Sequence, residues 1–132
     1  MTGEFILFPR FPVTFPVEIV LKGQDIAVTE TLTIAHGEAA TWNDAAVRDA
    51  LVEIIRAIDR AQNPSAPKDR AVMLQGFSWI VEPVGDQVVI AIEIPMGAAV
   101  AGPFTARQAD LDAMITRVLR NERQSVAPTT VH

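Results

Sequence analysis

AVMLQGFSWIVEPVGDQVVIAIEIPMGAAVAGPFTARQADLDAMITRVLRNER, residues 71–123, is the stretch whose reading decides the fold. Its first part alternates: Met73, Phe77, Trp79 and Val81 fall on one side of an extended chain, the pattern of a half-buried strand. Pro83-Val84-Gly85-Asp86 then supplies a turn, with Gly85 free to take a positive φ. Beyond it Val88, Ile90, Ile92, Ile94 and Met96 share an apolar face, while Gln87, Ala91 and Glu93 point the other way. The expectation is a hairpin with one greasy side.

Residues 97–103, GAAVAGP, read as a small-residue loop leading into a helix. Thr105 is placed to cap and Gln108 to complete a capping box, with Phe104 stapling onto Ala109. Leu111, Met114, Ile115, Val118 and Leu119 recur at helical spacing. Asp110, Asp112, Arg117 and Arg120 lie largely opposite them. Arg117, Arg120 and Arg123 sit toward the C-terminal end, where cations complement the helix dipole.

Working backward, residues 13–60 read as a diverged copy of this unit. Val13, Phe15, Val17, Ile19 and Leu21 alternate with Thr14, Glu18 and Lys22, and a turn follows at Lys22-Gly23-Gln24-Asp25. Ile26, Val28, Leu32 and Ile34 then share a face with Glu30 and His36, opposite a threonine-rich surface. Asn43 caps a helix whose stripe is Val47, Ala50, Leu51, Ile54, Ile55 and Ile58, ending before the linker Asn63-Pro64-Ser65-Ala66-Pro67. Phe15 pairs with Phe77, Gly23 with Gly85, and Trp42 with Phe104. The expected fold class is therefore α+β: a tandem ββα-ββα repeat, with units 13–62 and 70–124 and a flexible tail 125–132. Its sheet is antiparallel and four- to five-stranded, both helices lie on one face, and residues 4–8 supply the fifth, edge strand.

At 132 residues the chain is expected to form one domain, and its 49% apolar content is enough to pack one core. The net charge of −5 disfavours nucleic acid and anionic membrane, both of which bind through cations. Cysteine is absent, which removes disulfides, thiolate nucleophiles and cysteine-held metals. Residues 1–22 lack a basic leader and a small-residue cleavage site, so no signal peptide is expected and the location by default is cytoplasmic.

Chemistry-bearing motifs are thin. The spacing Gly97-x-x-x-x-Gly102 matches a phosphate loop, but Pro103 and Phe104 stand where that motif needs Lys and Ser or Thr. His36-Gly37-Glu38 brings an imidazole near a carboxylate, without a nucleophile or oxyanion device nearby. Glu30 falls on the apolar side of its strand, so its carboxylate must be paired, protonated or at an edge, and the expectation is an edge position where it reaches water or an Arg on the helix. No metal site or cofactor is expected.

Two functions follow as expectations. The first is a non-catalytic protein that works by association, as a homodimer or with an unknown protein partner, through a sheet edge or the N-terminal Phe-Pro arm bearing Phe5, Phe8 and Phe11. The second is a small-molecule-binding protein or enzyme, with a pocket between sheet and helices lined by Glu30, Trp42 and Trp79 and with His36 at its rim.

Overall fold

The computed structural model describes residues 12–67 and 71–126, with side chains as far as residue 124. Strands β1 (Val13–Leu21) and β2 (Val28–Ile34) lead through a short 3-10 turn, Ala39–Thr41, into helix α1 (Asp44–Gln62). Strands β3 (Ser78–Val84), β4 (Gln87–Ile94) and β5 (Gly97–Phe104) precede helix α2 (Gln108–Val126). The class is α+β: a five-stranded sheet in the order β2-β1-β5-β4-β3, with every neighbouring pair antiparallel.

Alternation puts Phe15, Val17, Ile19 and Leu21 of β1 on the helix side, all buried. Leu32 and Ile34, Val81, Val88, Ile90 and Ile92, and Ala99 and Ala101 join them from the other strands. The helices close this side with Val47, Ala50, Leu51, Ile54 and Ile58 from α1 and Leu111, Ile115 and Val118 from α2. Asn43 caps α1 as its sequence requires, its side-chain oxygen accepting from the Ala46 amide at 2.9 Å.

Two ion pairs fasten the helices to each other. Arg117 donates to Asp44 at 2.9 Å, and Arg48 donates to Glu122 at 2.8 Å. Each step of about one turn along α1 matches a step of about one turn along α2, so the helices run parallel and start at the same end of the sheet. The Arg117 guanidinium, bonded to Asp44, holds that carboxyl below its ordinary range. A depressed folded-state pKa contributes stability above the ordinary aspartate pKa, and that contribution is lost as pH falls through the lowered value. A carboxyl-detected NMR titration should therefore place Asp44 below a free aspartate, and Arg117→Gln should return it to the usual range.

Several expectations need correction. Residues 97–103 are not a loop: Gly97–Phe104 is the central strand of the sheet, flanked by β1 and β4. The back half is therefore βββα and the front half ββα. Strand β1 is interior while β3 is an edge, so the halves do not superpose strand for strand as a tandem ββα-ββα repeat would. Ile26, Met73 and Met96, read as core-facing, are exposed because the strands begin and end inside those positions, while Leu74 is buried instead.

Thr105 stands too early to cap α2. It accepts from Gln87 at 3.2 Å, and Gln108 donates to the Val81 carbonyl at 2.9 Å rather than closing a capping box. Ala109 is exposed, so Phe104 does not staple onto it. Phe104 meets Phe15 and Trp42 instead, with centroids at 4.9 Å and 5.3 Å. Ser125 and Val126 complete α2. The edge strand expected at residues 4–8 and the rest of the tail lie outside the described residues.

Candidate functional site

Trp42 and Trp79 border different depressions, and Glu30 and His36 each bond a side chain of α1. Glu30 points to the helix side from β2 and is held by Arg60 of α1, whose Nη2 donates to Oε1 at 2.6 Å. This is the partner a carboxylate on an apolar face requires, and the pair raises the Arg60 pKa through that bond. Both side chains keep more than a quarter of their surface in water, so the pair is worth about 1 kcal/mol or less. Glu30→Gln should change the unfolding free energy by no more than that in a urea titration.

His36 sits just past β2 and bonds Asp49 of α1, Nε2 to Oδ2 at 2.7 Å, rather than Glu30 or Glu38. Trp42 is buried beside Phe104 and donates its indole N–H to the Gly37 carbonyl at 2.7 Å. Trp79 lies half-buried on β3, opposite Ile92. A helix arginine for Glu30 was within the sequence expectation, but which one was not, and Asp49 escaped it, because Arg60 and Asp49 lie 30 and 13 residues away along the chain.

Trp42 does border a cleft of about 560 Å³ at the end where both helices begin, with Arg107, Arg117, Asp86 and Asp110 on its walls. Two cations stand there against two carboxylates, and Arg117 is committed to Asp44. Arg107 lies 3.9 Å from Asp110, so both cations of the cleft already face a carboxylate. Among the described residues no three His, Asp or Glu side chains gather as metal ligands.

The feature that stands out is the other side of the sheet. Both helices cover one face, so the outward-pointing strand residues have no layer over them among the described residues. One row crosses four strands: Ile80, Ala91, Val100 and Glu18 are successive ladder partners. Ala98 and Val20 are partners in the adjacent row. Val20, Ile80, Val84 and Val100 are 41–53% exposed. A shallow depression of about 400 Å³ lies between Ile80 and Val100, lined also by Ser78, Ala91, Glu93 and Ala98. An antiparallel sheet open to water ordinarily shows polar residues there, as the threonines of β2 do.

Charge gives this face a second character. None of the five strands contains Lys, Arg or His, whereas Glu18, Glu82 and Glu93 all stand on the open face, exposed. The surface is thus an aliphatic strip among carboxylates. The signal was present in sequence as valine and isoleucine on the wrong parity, since Val20, Ile80 and Val100 alternate out of phase with the buried set.

These features define an α+β domain with one sealed sheet face and one open, apolar and acidic face. The chain matches no protein-family model, no curated protein and no solved structure. No helix among the described residues is long and apolar enough to cross a membrane.

Proposed function

We propose that this protein acts by association, without a catalytic step, and that a second copy of the chain docks on the open face of the sheet. The observation that carries the reading is the row Ile80-Ala91-Val100 with Val20 beside it, an aliphatic strip turned to water on a sheet whose other face carries the core and both helices. Scattered exposed aliphatics are ordinary, but a contiguous set crossing several strands is the kind of surface a partner covers.

A ligand site built on Glu30 and His36 has less support, because each already holds an ion-pair partner from α1. Chemistry at the Trp42 cleft has less as well, since Arg107 and Arg117 there each face a carboxylate. The Phe-Pro arm lies outside the described residues, so it enters through its sequence alone.

Light scattering over a dilution series tests the reading. Wild type is expected to reach twice the 14.3 kDa of one chain at micromolar concentration. Ile80→Lys with Val100→Lys should hold the chain at the single-copy mass with unchanged circular dichroism, since neither side chain supports the core. Wild type at the single-copy mass throughout would sink it.

A further inference from the structure

Resting on that reading, we infer that the element of the second copy lying on the open face is its N-terminal arm, with Phe5, Phe8 and Phe11 on the aliphatic strip and Arg10 among the carboxylates. Three arguments single out the arm.

The first is energetic. Covering the exposed halves of Val20, Ile80, Val84 and Val100 yields about 3–6 kcal/mol at ordinary transfer values. Association itself costs about 4–15 kcal/mol in lost freedom. The strip alone does not hold a dimer, so more apolar surface must come from elsewhere on the chain. Phe5-Ile6-Leu7-Phe8 and Phe11 are the densest apolar segment outside the described residues. Each aromatic ring can bury about 150–250 Å².

The second argument is charge. Packing two open faces directly on each other would bring Glu18, Glu82 and Glu93 of one copy against the same three of the other, with no strand cation between them. Like charges so placed oppose association. The arm brings Arg10, flanked by Phe8-Pro9 and Phe11-Pro12, so the cation arrives with the aromatics that fit the strip, while the arm's one carboxylate, Glu4, stands six residues away. Arginine also pairs with carboxylates in a bidentate fork, which suits a face presenting three of them.

The third is reach and direction. Proline at 12 restricts Phe11 to extended backbone, and proline at 9 does the same to Phe8. Residues this close to β1 therefore favour continuing its line out of the sheet end over doubling back across their own face. Eleven extended residues span about 35 Å. That exceeds the roughly 20–25 Å width of a five-stranded sheet. The prolines also remove amides, so the segment suits lying across side chains better than pairing with a strand edge.

The test uses full-length chains in sedimentation velocity. Phe5→Asn, Phe8→Asn and Phe11→Asn combined should weaken the dimer by on the order of 100-fold or more, the loss expected when aromatic anchors go, while the melting temperature of the isolated chain stays put. Arg10→Glu should weaken it too, and adding Glu82→Lys and Glu93→Lys should restore part of that loss. If the triple variant stays dimeric while Ile80→Lys with Val100→Lys does not, the arm is overturned and docking on the open face stands. If wild type is a single copy and the triple variant lowers its melting temperature, the arm packs on its own sheet and the inference is overturned together with the reading beneath it.

Discussion

Replacing Phe104 by alanine should cost about 3–5 kcal/mol of unfolding free energy, read from a urea titration with far-UV detection. The ring is buried at the end of the sheet where both helices start, and it touches Phe15 and Trp42 at centroid distances of 4.9 Å and 5.3 Å. Those two contacts add about 0.5–1.5 kcal/mol each beyond area burial. Phe104 reaches them because two residues of β5, Gly102 and Pro103, stand against one of β4, so the register slips between Val88 and Ile90. Phe104→Leu should cost less than half as much, since it keeps most of the volume. An alanine variant within about 1 kcal/mol of wild type would mean the ring does not close the core.

Gly97→Ala should cost about 2–4 kcal/mol, a large effect for a single methyl group. A β-carbon at Gly97 would lie 2.3 Å from the Val20 carbonyl oxygen and 3.0 Å from the Leu21 α-carbon. Both are backbone atoms of the neighbouring strand, so no side chain can swing aside, and β1 and β5 must part. Gly85→Ala makes the useful comparison. Its β-carbon meets nothing within 4 Å, and its cost is confined to the positive φ of 64°, about 1–2 kcal/mol. If Gly97→Ala proves the milder of the two in thermal unfolding, β5 does not approach β1 as closely as described.

Gly97 also shows where reading the residues stopped short. The two helix stripes were legible because apolar spacing at 3.6 residues leaves little choice, and so were β1 and the β3–β4 hairpin through their alternation. GAAVAGPF was not legible, because glycine, alanine and proline are poor strand formers by propensity. Their reason for being in a strand is tertiary. Gly97 admits the β1 backbone, and Ala99 and Ala101 keep the central strand low beneath the helices. Small residues that read as a loop are what a crowded middle position selects, and only the neighbours reveal the crowding.

The same limit governs the site. That Glu30 needed a partner followed from its parity on β2, but Arg60 could be named only once α1 was docked. His36 was matched to the nearest carboxylate in the chain, Glu38, because nothing local says that the end of β2 lies beside Asp49. The open face was written in the phase of Val20, Ile80 and Val100, yet phase alone does not say which side of a sheet the helices will cover. Once both helices are seen on one side, those residues change from strand filler to an apolar surface with no layer over it among the described residues.

The chain has no cysteine, so single thiols report on one face at a time. Val100→Cys places a thiol on the aliphatic strip, and Asp112→Cys places one on the exposed side of α2 as a control. Alkylation by iodoacetamide should slow several-fold at position 100 as the protein is concentrated through its dimer range, with no change at position 112. Equal, concentration-independent rates at both positions would show that nothing covers the open face and would contradict the account.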